Sequence, residues 1–250
     1  MTSDRTDSPT TDPRRSRLAT LHPRAYLAVH VLGGIVLTAL LLWGFTQLAD
    51  AIADNGRLPR FDVALSAWIQ AHDTEYGESI FAFVSYLGAP VLVAIIMATA
   101  IYFAWRRDWL RALALAAGTA SGAGLNALLK HLFHRGRPEF ATEFITHASW
   151  SFPSGHAMDS IVGYGMLAVL LIDLTRNAGP RRLVVGSAIM LILLIGVSRI
   201  YLGVHYLTDV LGGWLAGGAW LYVCATAYWF ARWRLHPATQ DTETHPAAAR

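Results

Sequence analysis

The sequence is poor in charge, in cysteine and in lysine. Only 15% of its 250 residues are charged, whereas a soluble domain carries about a quarter, so much of the surface is expected to face something other than water. The one cysteine, Cys224, lies in an apolar run, which excludes an intrachain disulfide. The only lysine is Lys130, so arginine supplies almost all of the 20 positive charges, and their positions matter more than the net charge of +3.

Long apolar stretches account for most of the chain, which is 54% hydrophobic. A membrane-spanning helix needs about 20 mostly apolar residues, and six stretches reach that length. They lie at about 25–49, 79–104, 110–131, 155–174, 183–201 and 207–231. The sequence therefore predicts an all-α membrane protein, a six-transmembrane-helix bundle. Residues 57–72 mix apolar and polar side chains and fit either a short amphipathic helix in the outer interface or an ordinary loop.

The polar ends of the chain differ from this apolar middle. Residues 1–20 lack apolar periodicity and are predicted to be a disordered cytoplasmic tail, and 235–250 to be a second one. The membrane domain is expected to cover 21–234. Its first apolar stretch is longer than the core of a signal peptide and has no convincing cleavage site, so we interpret it as an uncleaved membrane helix.

The basic residues predict the orientation of the bundle. With six spans both termini lie on one side, and that side, with the loops after spans two and four, holds 14 of the 20 basic residues. Cytoplasmic loops carry the excess of Lys and Arg, so both termini are predicted to be cytoplasmic. The protein should be a multi-pass protein of the cell membrane, and the loops after spans one, three and five should be extracytoplasmic.

Three polar segments lie at those outer ends of spans three to six. The first follows span three, the second opens span four, and the third bridges spans five and six. Their defining residues are Lys130, Arg137 and Pro138; Pro153, Ser154, Gly155 and His156; and Ser198, Arg199, His205 and Asp209. The topology brings all three to one face of the membrane, where ionisable groups are costly and indicate a functional site.

Together these segments resemble the three signature motifs of the type 2 phosphatidic acid phosphatase family, the lipid phosphate phosphatases. Every specified position is filled at the expected spacing, and the resemblance covers about residues 60–231. It implies an enzyme that removes phosphate from a membrane lipid through a phosphohistidine on His205. His156 would protonate the leaving oxygen and then activate water. No metal and no cofactor is expected, and the predicted partners are the lipid substrate and the bilayer, not nucleic acid.

The residue types suit that chemistry. A phosphoryl group in transfer carries negative charge on its oxygens, and Lys130, Arg137 and Arg199 supply three cations to bind it. Ser154 and Gly155 start a helix, whose free N–H groups favour an anion.

The third segment offers a nucleophile and its partner. His205 and Asp209 are four residues apart and share a helix face. The carboxylate can accept the proton of one ring nitrogen and orient the other toward phosphorus.

Other interpretations of single residues stay open. His205 and Asp209 could be a polar pair that locks two helices, and Lys130 could extend to the interface from a helix end. Three further residues of the first segment, His131, His134 and Arg135, are expected to be loop or interface residues. His147 and Trp150 are expected to be structural, although they lie near the proposed site.

The substrate is less well defined than the chemistry. An outward-facing site suits undecaprenyl diphosphate, the leading candidate, while phosphatidic acid and phosphatidylglycerol phosphate fit the same residues. A phosphotransferase that passes the phosphate to another lipid, or a lipid transporter or scramblase that uses the cations to hold head groups, are the alternatives. A transporter has no need of His156, His205 and Asp209 in this arrangement.

Overall fold

The computed structural model describes residues 23–54, 56–139, 149–175 and 177–235. All regular secondary structure in these residues is helical, in agreement with the predicted all-α class. The helices are α1 (Pro23–Ala53), α2 (Arg57–Ala71), α3 (Glu75–Tyr86), α4 (Pro90–Trp105), α5 (Trp109–Phe133), α6 (Gly155–Leu174), α7 (Ala178–Tyr201) and α8 (Leu207–Leu235). The predicted tails, 1–20 and nearly all of 235–250, lie outside the described residues.

Among the described residues, six segments are long and apolar enough to cross a membrane, which agrees with the predicted number of spans. They are Leu32–Ala53, Glu75–Trp105, Trp109–Phe133, Gly155–Leu174, Ala178–Tyr201 and Leu207–Leu235. Many large apolar side chains on them are exposed to the exterior, where a bilayer replaces water. The orientation of the termini stays a prediction.

Helix α6 is the core of the unit formed by residues from Thr38 onward. It packs against α5, α7 and α8, and 56% of its most apolar window is buried, against 17–33% for the other spans. The contact with α8 is especially close. A Cβ added at Gly213 would lie 2.7 Å from the Ser154 carbonyl oxygen, and one at Gly217 would lie 3.0 Å from that of Met158. Glycine thus allows the starts of α6 and α8 to meet backbone to backbone.

The second span differs from the single helix predicted for 79–104. It consists of α3 and α4, and the chain between them leaves the helical path at Leu87. Pro90 opens α4 because proline suits the first turn of a helix but interrupts an interior one. The Tyr164 hydroxyl of α6 donates to the Leu87 carbonyl at 2.8 Å. The break is therefore held by α6, and it lies beside the start of that helix, since a Cβ at Gly88 would lie 3.3 Å from His156 Cδ2.

The segment between the first two spans forms α2, which agrees with the helical alternative for 57–72. Its polar residues Asp62 and Ser66 are buried, while Phe61, Val63 and Trp68 are exposed. The helix therefore turns its polar side to the protein and its apolar side outward, as expected for an interface with lipid.

Candidate active site

Backbone hydrogen bonds join the three predicted segments at one end of the bundle. Ser151 N–H donates to the Arg135 carbonyl at 2.8 Å, and Ser154 N–H donates to the Asp209 carbonyl at 2.9 Å. The Arg137 guanidinium reaches the third segment through the Val204 carbonyl at 2.9 Å. Residues that are about 70 positions apart in sequence therefore form one cluster.

The turn between α7 and α8 positions the third segment. Gly203 has φ of 63°, a left-handed conformation that costs glycine little. The N–H groups of Val204 and His205 both donate to the Arg199 carbonyl, at 3.2 and 3.3 Å. His205 is thereby folded back against the end of α7, next to Arg199.

His205 and Asp209 are buried together, with 2% and 0% exposure. Their closest atoms, His205 Nδ1 and Asp209 Oδ2, are 3.5 Å apart, which is long for a hydrogen bond. The Ser151 hydroxyl lies 3.2 Å from Nδ1 and donates to Asp209 Oδ2. Because that hydroxyl has one hydrogen, it can only accept from the ring. Nδ1 therefore carries the proton, and Nε2 keeps its lone pair.

This arrangement modifies the predicted direct contact between histidine and carboxylate, since Ser151 mediates it. Asp209 Oδ2 also accepts the Tyr206 N–H at 2.9 Å, so the carboxylate is fixed from two sides.

Burial keeps the His205 ring neutral. It lowers the pKa of His205 to about 4, more than the hydrogen bond and the attraction of Asp209 raise it, and the nearby Arg137 and Arg199 also lower it. At neutral pH the ring is uncharged, and a neutral imidazole with a free Nε2 has the form that a nucleophile requires.

Two of the three predicted cations donate to backbone carbonyls, and the third is held by a serine. Lys130 Nζ donates to the Trp150 carbonyl, and Arg137 Nε donates to the Ser149 carbonyl at 3.0 Å. Arg199 is 8% exposed, and its Nη1 donates to the hydroxyl of Ser85 on α3. The charges lie close enough to influence one another and His156.

Two buried polar atoms in the cluster have no hydrogen-bond partner among the described residues. They are the Ser154 hydroxyl and Arg199 Nε. Ser154 precedes α6 at the position where serine usually caps a helix, but its side chain makes no capping bond. A buried polar group without a partner is costly, and each of these two groups could donate a hydrogen bond to an oxyanion.

A cavity of about 490 Å³ opens beside these groups. His156 and Arg199 line it, whereas most of the wall comes from α3 and the loop before α8; its lining residues are Glu75, Glu78, Ser79, Ala82, Ser85, Tyr86, Pro90, His156, Arg199, Leu202 and Val204. The surface of the cavity is mainly apolar, and the carboxylates of Glu75 and Glu78 form part of its wall. Lys130, Arg137 and His205 do not line it and lie in the adjoining cluster.

Comparisons with known proteins agree with this geometry. The model of the PAP2 superfamily matches residues 109–233, half of the chain. Phosphatidylglycerophosphatase B of Bacillus subtilis is 34% identical over 176 residues, which cover 69% of this chain and 85% of that protein. The chain belongs to the PAP2 superfamily. The family resemblance predicted from the three motifs is confirmed, and this PAP2 protein is a multi-pass membrane lipid phosphatase.

Two further comparisons concern the fold and a more distant relative. The crystal structure of a transmembrane PAP2-type phosphatidylglycerolphosphate phosphatase from Bacillus subtilis aligns with a TM-score of 0.70 and 30% identity, covering 78% of this chain and 96% of that chain. The undecaprenyl-diphosphatase of Sulfolobus acidocaldarius is 38% identical over 72 residues, which is 29% of this chain and 30% of that protein.

The structure assigns contacts to residues of this PAP2 protein that the sequence left without a role. Ser151 and Ser85 were not predicted, and only the position of Ser151, two residues before the second motif begins at Pro153, hints at a role for it. Arg135, expected to be a loop or interface residue, instead donates to Asp209 Oδ1 at 2.7 Å. His134, expected to be a loop or interface residue, packs edge-on against Trp150, with ring centroids 4.7 Å apart, which suits the structural role expected for Trp150. His147 lies outside the described residues.

Proposed function

We propose that the protein hydrolyses the phosphate monoester of a lipid with a hydroxylated head group, with phosphatidylglycerol phosphate as the preferred candidate. The two unpartnered buried atoms, Ser154 Oγ and Arg199 Nε, carry the proposal, because both can donate to a phosphoryl oxygen and both belong to the cluster that holds Lys130 and Arg137. We further propose that this site lies on the extracytoplasmic face, which rests on the distribution of the basic residues.

In the proposed reaction the two histidines act in turn. His205 Nε2 attacks phosphorus, and the bond to the lipid oxygen breaks as His156 gives that oxygen a proton. The positive charge that develops on the His205 ring is stabilised through Ser151 by Asp209. His156 then takes a proton from water, whose oxygen attacks phosphorus while the His205 Nε2–P bond breaks. Inorganic phosphate is released, and the His205 ring returns to its neutral form. Lys130, Arg137 and Arg199 stabilise the charge on the phosphoryl oxygens in both steps.

The cavity favours a monoester over a diphosphate. Glu75 and Glu78 share its wall with Arg199 and His156, so a second phosphate attached directly to the reacting one would lie near two carboxylates. The hydroxyl of a glycerol head group can instead donate to those carboxylates. The extensive similarity to phosphatidylglycerophosphatase B supports the same choice. Undecaprenyl diphosphate, the first candidate from sequence, becomes the second, together with phosphatidic acid.

Phosphate release by the purified protein in detergent tests this proposal. Phosphatidylglycerol phosphate, phosphatidic acid and undecaprenyl diphosphate are compared, with EDTA present and with His205→Ala as the inactive control. We expect EDTA-resistant release, fastest from phosphatidylglycerol phosphate, and an acid-labile phosphoenzyme that is absent in the variant. In the double variant Glu75→Gln/Glu78→Gln, the ratio of phosphate release from phosphatidylglycerol phosphate to that from undecaprenyl diphosphate should be smaller than in the unaltered protein. Fastest release from undecaprenyl diphosphate would overturn the substrate assignment, and activity in His205→Ala would overturn the mechanism.

A further inference from the structure

A chain of charges, with a buried carboxylate at each end, connects Asp209 to α2. Arg135 Nη1 donates to Asp209 Oδ1 at 2.7 Å and to the Thr208 hydroxyl at 2.6 Å. Its Nη2 donates to Asp62 Oδ2, on α2, at 2.8 Å. Asp62 also accepts the Thr208 N–H at 3.2 Å and the Thr208 hydroxyl. The interfacial helix α2 is thus connected through Arg135 to the carboxylate that serves His205.

The local backbone explains why Arg135 reaches this position. Helix α5 ends at His134, which has the left-handed φ of 45°, and the chain turns there toward α8. The Arg135 carbonyl accepts the Ser151 N–H at 2.8 Å, and its guanidinium lies 4.5 Å from the centre of the Tyr206 ring. Arg135 therefore contacts both groups that control the His205 proton, Ser151 through its backbone and Asp209 through its side chain.

The charges require this arrangement. Asp62 and Asp209 are 1% and 0% exposed, and a buried carboxylate is costly unless it is paired and hydrogen-bonded. One guanidinium serves both, and the three groups together carry one net negative charge next to a neutral His205. That charge stabilises the positive ring that forms when Nε2 bonds to phosphorus. Three of the five N–H donors of Arg135 are therefore engaged by Thr208, Asp209 and Asp62.

We propose that Arg135, anchored by Asp62 of α2, is a positioning residue that fixes Asp209 and Ser151 and thereby sets the proton on His205 Nδ1. This role rests on the proposed function of His205 as the nucleophile. It assigns α2 a second task, since the helix that covers the outer end of the bundle also holds the catalytic carboxylate in place.

The test compares kcat and KM of Arg135→Gln, Arg135→Lys and Asp62→Asn with a water-soluble phosphate ester. We expect Arg135→Gln to lower kcat about 10- to 100-fold, the range typical when a residue that supports a functional group is lost, with KM within about twofold. Arg135→Lys should recover part of the loss because it keeps the charge. The kcat of Asp62→Asn should lie between that of Arg135→Gln and that of the unaltered protein.

The matched controls are Arg60→Gln on α2 and Asp50→Asn at the end of α1, because both side chains are exposed. Each should retain the activity and the thermal midpoint of the unaltered protein. For every variant, the elution volume and the melting curve in detergent verify that the protein is folded.

A double-variant cycle with Asp209→Asn decides whether Arg135 acts through Asp209. Residues that act through one another are not additive, so Arg135→Gln should slow Asp209→Asn by less than about threefold. The inference would be overturned if Arg135→Gln lowered kcat as much in Asp209→Asn as in the unaltered protein. It would also be overturned if Arg135→Gln were folded and had an unchanged kcat. If the unaltered protein released no phosphate, or if His205→Ala stayed active, the proposed function itself would be wrong, so the two failures are distinguishable.

Discussion

Replacing Ser151 with alanine should slow formation of the phosphoenzyme about 10- to 150-fold. The Ser151 hydroxyl bridges His205 Nδ1 and Asp209 Oδ2, which are otherwise 3.5 Å apart. Hydrogen bonds to charged groups contribute about 1.5–3 kcal/mol, and each 1.36 kcal/mol corresponds to a tenfold change in rate. The variant leaves the phosphate cations untouched, so binding of the substrate should change little while the chemical step slows.

Rapid quenching with a radiolabelled phosphate ester measures that step directly, as the rate at which label appears on the protein. Ser160→Ala is the matched control. Like Ser151, Ser160 is fully buried, and it lies on the first turns of α6. Its hydroxyl donates to the Ala157 carbonyl of its own helix and not to Asp209. An unchanged rate in Ser151→Ala, or an equal loss in Ser160→Ala, would refute the bridging role.

Three further predictions concern the same end of the bundle. Asp209→Asn should leave KM nearly unchanged and lower kcat at least as much as Ser151→Ala, because it disfavours the productive ring tautomer; steady-state kinetics would measure both. The pKa of His205 is about 4 in the folded protein and 6.5 ordinarily, so the unfolded state takes up the proton first. About 3 kcal/mol of the free energy of unfolding, fully present above pH 6.5, should therefore be lost as the pH falls toward 4. Melting curves of His205→Gln recorded over the same pH range should not show this loss. Gly213→Ala places a methyl group 2.7 Å from a backbone carbonyl oxygen, whereas Gly218→Ala makes ordinary contacts of 3.5 Å or more; only the former should lower the thermal midpoint, by the equivalent of about 1–3 kcal/mol.

The number of spans could be predicted because a bilayer imposes a length and a composition on each helix. The break in the second span could not, because the most apolar 18-residue window of that span is as apolar as the corresponding window of any other described span. The break depends on tertiary contacts, such as the hydrogen bond from Tyr164 to the Leu87 carbonyl. Pro90 was the available signal, but proline also occurs within membrane helices whose neighbours satisfy the freed backbone groups.

The cluster could be predicted in part for a similar reason. His205 and Asp209 are separated by four residues, so helical geometry alone brings them together. Arg135 and Asp62 are 73 positions apart, and no periodicity relates a loop residue to a helix in another part of the chain. Asp62 is one of several acidic residues between the first two spans, and its complete burial depends on the way α2 packs.

The surroundings of His205 must satisfy two opposing requirements. Burial lowers the pKa of the ring to about 4 and so keeps the proposed nucleophile neutral, but the same low polarity penalises the positive ring that the proposed attack would form. A carboxylate removes that penalty only if it stays charged while fully buried. Three donors hold Asp209 in that state, namely Ser151, Arg135 and the Tyr206 N–H. The rate of phosphoenzyme formation should therefore depend on the donors to Asp209 as strongly as on the cations that hold the phosphate.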